Sequence, residues 1–281
     1  MLTTMDQQGE TQGVIGILDS GVGGLTVVKE MFRQLPKEGV VYFGDTMRCP
    51  YGPRPPREVR MFTTEIVHFL SRYPLKALVI ACNTATAVAL QEIREQFAIP
   101  VLGVITPGAR AAIKVSQGGR IGVIGTQGTV QSGAYERALK QIDPTLTVVS
   151  HACPTLVPLV ESGGGDTELS REIVRHALAP LKGQGLDTLI LGCTHYPLIA
   201  PLIAREMGEE VTLISSAEET ARELSTILYH KRLLVENNQH DSYFFTSGEP
   251  ASFQMIAEDW LGRSVQVEQE KTPSLPASLI R

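Results

Sequence analysis

Short, wholly apolar runs recur along this chain of 281 residues, and stretches with helical spacing separate them. VIGILD (14–19), VVYF (40–43), ALVIA (77–81), VLGVI (101–105), RIGVIG (120–125), LTVVS (146–150), DTLILG (187–192) and VTLIS (211–215) read as strands. Runs that are apolar at nearly every position, not every second one, suit strands covered on both faces of a parallel sheet. Between them, TAVALQEIREQF (86–97) and GAYERALKQI (133–142) repeat apolar residues at helical spacing. This alternation predicts an α/β fold built on parallel sheets.

The chain also aligns with itself. IGILDSGVGG (15–24) matches IGVIGTQGTV (121–130), each strand running into a turn that carries Ser20 or Thr126. ALVIACNTAT (77–86) matches TLILGCTHYP (188–197), each strand followed by a cysteine. Apolar strands match one another by chance easily; a cysteine at the same place in both later segments argues for a true repeat. Toward the C-terminus, SAEETARELSTILYHKRL reads as a helix and SYFFTS (242–247) as a strand that the first sheet can recruit. The expected division is a first α/β domain from residues 13–106 and 215–281, a second from 107–214, and a flexible N-terminal extension over 1–12. VENNQHD (235–241) reads as a loop, and the last ten residues, with two prolines, as weakly ordered.

Composition narrows the function classes. Hydrophobic residues make up 43% and charged residues 20%, ordinary for a globular chain. A net charge of −5, with no basic run, argues against a nucleic-acid partner. MLTTMDQQGETQG has neither the basic start nor the apolar core of a signal peptide. The longest apolar runs are strand-sized, far below a membrane span. The expectation is a soluble, cytoplasmic protein whose four cysteines are not a disulfide framework.

Two of those cysteines stand apart. Cys82 follows one strand and precedes a helix beginning near Ala85; Cys193 follows another and precedes a helix expected from Pro197. Both fall at carboxyl ends of parallel strands, where open sheets bind ligands. Both also lie near helix N-termini, whose partial positive charge favours a thiolate. Cys49 and Cys153 read as packing. Cys193-Thr194-His195 and His151-Ala152-Cys153 contain metal-ligand types, but no C-x2-C or H-x3-H spacing occurs, so no metal is expected. The turn Asp19-Ser20-Gly21-Val22-Gly23-Gly24 fails the dinucleotide pattern, because Thr26 stands where a third glycine belongs, and it fails the P-loop pattern too. What remains is a turn of backbone N–H groups suited to an anion such as a carboxylate.

Taken together, GILDSGVGGLTV (16–27), YFGDTMRCPYG (42–52), VIACNTATA (79–87), LVPLVESG (156–163) and LGCTHYPL (191–198) resemble the glutamate racemases within the aspartate/glutamate racemase family. The resemblance covers most of residues 13–215. It implies two similar α/β domains related by pseudo-symmetry, with the active site in the cleft between them. It implies cofactor-independent interconversion of L- and D-glutamate for peptidoglycan synthesis, with Cys82 and Cys193 as acid and base. The substrate-binding residues it implies are Asp19, Ser20, Tyr51, Gly52, Asn83, Thr84, Thr194 and His195. Thr126 and Thr129 would be further carboxylate donors, and Glu161 would match a supporting acidic position. Glutamate is then the small-molecule partner, with no nucleic acid or membrane, and a homodimer is compatible with the family. The leading residues resemble extensions of relatives that respond to a cell-wall nucleotide precursor.

That chemistry suits these residues. Racemisation removes the α-hydrogen from one face and returns a proton to the other, so two opposed groups need no movement. One must be thiolate and the other thiol, and a modest environmental shift brings thiols to the working pH. Asp19 beside one thiol and His195 beside the other are placed to steer protonation. Three rivals stay open on sequence: an aspartate racemase, a non-catalytic anion-binding protein of the same fold, and a cysteine hydrolase, which leaves Cys82 without a task.

Overall fold

A computed structural model of the chain describes residues 13–235 and 241–271. The strands are β1 (Val14–Asp19), β2 (Val40–Gly44), β3 (Leu75–Ile80), β4 (Val101–Gly103), β5 (Arg120–Gly125), β6 (Thr147–Ala152), β7 (Thr188–Gly192), β8 (Thr212–Ser215), β9 (Tyr243–Thr246) and β10 (Val267–Gln269). The α-helices are α1 (Leu25–Gln34), α2 (Pro56–Leu70), α3 (Asn83–Gln96), α4 (Ile105–Val115), α5 (Gln127–Gln131), α6 (Ala134–Ile142), α7 (Leu156–Glu161), α8 (Glu168–Leu178), α9 (Ala200–Met207), α10 (Ser216–Lys231) and α11 (Pro250–Leu261). Every strand pairing is parallel. One sheet has the order β10-β9-β2-β1-β3-β4 and the other β6-β5-β7-β8.

The two sheets repeat one plan. β2-β1-β3-β4 in the first corresponds to β6-β5-β7-β8 in the second. The register agrees residue by residue: Ile15 sits opposite Ala77, and Ile121 opposite Thr188. Those are the pairs that the internal alignment predicts. Ser20 and Cys82 therefore leave their strands side by side, as Thr126 and Cys193 do. The pseudo-symmetry is real, down to the register.

Burial on both faces explains the apolar strands. Ile15 and Ile17 face a core shared with Val28, Met31 and Leu224, while Val14 and Leu18 face another with Ile66, Leu70 and Ile93. Leu189 and Leu191 face α7 to α9, and Ile190 faces Ala109 and Leu139. Each such side chain contributes about 1.5–3 kcal/mol when removed from water. A polar residue at a central position would lose that on either face. α10 packs against both α1 and α4 and so ties the two sheets together.

Several elements differ from expectation. VLGVI ends as a strand at Gly103, since Val104 already has helical dihedrals as the cap of α4. SYFFTS is recruited as expected, Val41 pairing with Tyr243. α11 and β10 were not legible; β10 is a three-residue edge strand, VEQ, with no apolar run to announce it. Residues 1–12, 236–240 and 272–281 lie outside the described residues, and with them the expected extension, most of the VENNQHD loop and the C-terminal tail. Among the described residues no helix is long and apolar enough to cross a membrane.

Candidate active site between the sheets

Strand ends of both sheets converge on one cavity. From the first sheet it is lined by Ser20, the Cys49–Gly52 loop, and Cys82, Asn83 and Thr84; from the second, by Thr126, Val157, Cys193, Thr194 and His195. Nine of the ten residues singled out for catalysis or binding therefore lie in one wall. Asp19, the tenth, is wholly buried behind it.

Cys82 is the N-cap of α3, with no side-chain cap hydrogen bond, and the nearby Ala85 N–H and Ser20 hydroxyl act on its thiol. Those contacts favour a thiolate, but burial and the nearby Asp19 carboxylate outweigh them and push the thiol up to about 12. The expected drop toward working pH is therefore reversed at Cys82. A helix N-terminus contributes less here than the removal of water.

Cys193 has a different setting. The helix expected from Pro197 is a 3-10 turn over Tyr196–Ile199, with α9 starting at Ala200, so no α-helix begins at this thiol. A charged partner takes its place: Cys193 Sγ lies 3.8 Å from His195 Nδ1, and His195 Nε2 lies 3.1 Å from Glu161 Oε1. Burial disfavours the imidazolium, but Cys193, Glu161 and Asp19 together lift the His195 pKa to about 10. Its hydrogen bond to His195 lowers the Glu161 carboxyl in turn.

In the glycine turn the Gly21 N–H donates to the Asp19 carboxylate at 3.1 Å, so that donor already holds an anion of the chain's own, and the Gly24 N–H also favours the Asp19 charge. Asp19 also accepts from the Thr194 hydroxyl at 3.4 Å. Burial raises its pKa despite the opposing charge of His195. A Cβ on Gly23 would collide with the Thr194 hydroxyl and the His195 ring, so glycine is needed there for close approach of the two halves.

Gly52 marks a second close approach. Its carbonyl accepts from Gly128 N at 2.9 Å, and a Cβ would stand 2.6 Å from that of Thr126. Tyr51 lines the cavity, and its hydroxyl donates to Asp45 at 2.5 Å. Thr84, Thr126 and Thr129 form a triangle of hydroxyls 2.9–3.2 Å apart across the cleft. The Asn83 side-chain oxygen accepts from Tyr135, while its NH2 is buried in the cavity wall without an acceptor. A buried donor with nothing to bond is costly until a ligand supplies an acceptor.

Two site residues were missed or misread. Cys49, read as packing, lies in the cavity wall and donates to Glu161 Oε1 at 3.5 Å. Its neighbour in YFGDTMRCPYG was the available signal. Tyr135 carried none, since it reads as a core residue of an amphipathic helix. Among the described residues, no three His, Cys, Asp or Glu side chains cluster so as to hold a metal.

The sequence model for Asp/Glu/hydantoin racemases matches residues 14–224. A glutamate racemase from Bacillus cereus is 56% identical over 253 residues, covering 90% of this chain and 94% of that protein. The crystal structure of a glutamate racemase isoform from Bacillus anthracis superposes with a TM-score of 0.92 at 57% identity, covering 94% of this chain and 99% of that one. A structure of Escherichia coli glutamate racemase in complex with L-glutamate and the activator UDP-MurNAc-Ala matches with a TM-score of 0.77 at 26% identity, covering 92% and 97%.

Proposed function

Because this chain belongs to the Asp/Glu/hydantoin racemase family, we propose that it interconverts L- and D-glutamate without a cofactor, using Cys82 and Cys193. One observation carries this reading. Two thiols at equivalent positions of a repeated fold line the same cavity, one from each sheet. A substrate held between the sheets presents one face of its α-carbon to each.

In the starting state Cys82 is a neutral thiol and Cys193 is paired with a cationic His195. The thiolate takes the α-proton, leaving the electron pair on the α-carbon. The opposite thiol gives its proton to the other face and becomes the thiolate. Asn83 NH2, Ser20 and the Thr84–Thr126–Thr129 hydroxyls are donors for the substrate carboxylates and for the charge that develops there. Tyr51 and Gly52 contribute through the main chain. Asp19 acts through its charge on Cys82 and His195, with its oxygens already bonded. We treat residues 13–106 with 215–281 as one domain and 107–214 as the other, closing on the substrate. D-glutamate made in the cytoplasm would feed peptidoglycan synthesis, and a cell-wall nucleotide of the class named for the Escherichia coli relative is the effector to test.

The Cys193–His195–Glu161 line also favours a second reading, a cysteine hydrolase. The two separate in one experiment. Protein dialysed against EDTA is given L-glutamate, and ellipticity is followed to zero. Racemisation that needs both cysteines supports the proposal; no change in ellipticity sinks it, and hydrolysis surviving Cys82→Ala selects the rival. Glutamate should be preferred over aspartate by about 100-fold or more in kcat/KM, because a shorter substrate leaves distal donors buried and unpaired.

A further inference from the structure

We infer that Tyr135 is a positioning residue, which locks the Asn83 carboxamide with its NH2 group toward the bound substrate; the inference rests on the glutamate reading above. Tyr135 lies on α6 of the second sheet's half, and Asn83 follows Cys82 in the first. Each is 2% exposed. The Tyr135 hydroxyl donates to Asn83 Oδ1 at 2.7 Å across the cleft.

A phenol can donate or accept, but the atom facing it here is the Asn83 side-chain oxygen, which only accepts, so the phenol donates and holds the carboxamide with its oxygen toward Tyr135. Burial raises the Tyr135 pKa, so that proton is present at every working pH. This contact leaves Asn83 Nδ2 as the unpartnered donor in the cavity wall.

The ring packs against the strand that leads to Cys193: a Cβ on Gly192 would stand 3.0 Å from Tyr135 Cε2. Tyr135 thus touches the strand that carries one thiol while orienting the residue beside the other. Nothing in the proton-transfer chemistry uses it directly.

The test pairs a substrate-free readout with kinetics on Tyr135→Phe, which keeps the ring. In 15N-labelled protein, the Asn83 side-chain NH2 pair, identified by its loss in Asn83→Ala, should shift and broaden in Tyr135→Phe. An unchanged pair overturns the lock whatever the substrate is. With glutamate, KM should rise about tenfold while kcat changes less than about threefold, the pattern of a lost ground-state contact. In an Asn83→Ala background the same substitution should cost nothing further, whereas an equal cost in both backgrounds overturns the inference. A shifted NH2 pair in a protein that neither binds nor racemises glutamate would keep the lock and remove the substrate assignment instead.

Discussion

Cys82 and Cys193 occupy equivalent positions in a repeated fold, yet their surroundings are opposite. The first caps a 14-residue helix, lies near the Asp19 carboxylate and is pushed up to about 12. The second precedes a 3-10 turn and faces an imidazole whose proton is held up to about 10. A two-base racemase needs two groups in different protonation states at any moment. On the proposed two-base reading, the repeat would supply the opposed positions and departures from the repeat the asymmetry. Asp19 replaces Gly125 in one half, and His195 replaces Thr84 in the other. Symmetry sets the geometry, and the substitutions set the charge.

The largest effects should come from removing either side of the comparison. Cys82→Ala and Cys193→Ala should each lower kcat/KM by about 1,000-fold or more, some 4 kcal/mol of barrier, with the far-ultraviolet circular dichroism unchanged. A variant that keeps a tenth of the activity would take its thiol out of the mechanism.

The asymmetry itself can be read by alkylation. With limiting iodoacetamide at pH 8, peptide mapping should find Cys193 modified about tenfold faster than Cys82, because a thiol at about 12 holds little thiolate there. Cys82 and Cys193 are nearly equally buried, so burial of the residues does not explain a difference. Modification of Cys82 first would invert the assignment.

Glu161→Gln sharpens the second half alone. It keeps the shape of the hydrogen bond to His195 but removes the charge, and kcat should fall about 10- to 100-fold. The same variant tests linkage. His195 has a folded pKa above its unfolded value of 6.5, so its pairing stabilises the fold fully below pH 6.5. Between 6.5 and about 10 the folded state holds a proton that the unfolded state has lost, and stability declines as pH rises through that window. The melting temperature of the wild type should drop from pH 6.5 to 10 by about 5 °C more than that of Glu161→Gln. Equal drops would mean that His195 is not held charged by this pair.

The smallest effects belong to the other two cysteines. Cys49→Ser should change kcat/KM by less than about threefold, since its thiol is only a weak donor to Glu161 at 3.5 Å. Cys153→Ala should leave activity unchanged and lower stability by about 1 kcal/mol, as its sulfur sits in the core beside Leu156 and Val174. A larger kinetic loss at Cys153 would mean that packing transmits to Cys193.

Much of this architecture is local and therefore legible in the chain. Strands covered on both faces must be apolar almost throughout, which is why VIGILD and TLILG announce themselves. The repeat survives in the same signal, and it matches Ser20 with Thr126 and Cys82 with Cys193; that Ser20 stands beside Cys82 and Thr126 beside Cys193 comes from the strand pairing. Asp19, Asn83 and Thr194 each lie at or just past a strand end and are legible for the same reason, whereas Tyr51 is pointed to by the family resemblance alone. Other features depend on residues far apart in the chain. Tyr135 meets Asn83 across 52 positions, and Thr194 meets Asp19 across 175. The polar edge strand β10 has no pattern of its own, and exists because β9 offers it a parallel partner. The pKa of Cys82 is the sharpest case. Its helix cap, read locally, favours the thiolate; burial and a carboxylate from another strand reverse the direction. Periodicity and turn chemistry act over a few residues and can be read in order. Desolvation and charge act through space, and only the folded chain determines which side chains share that space.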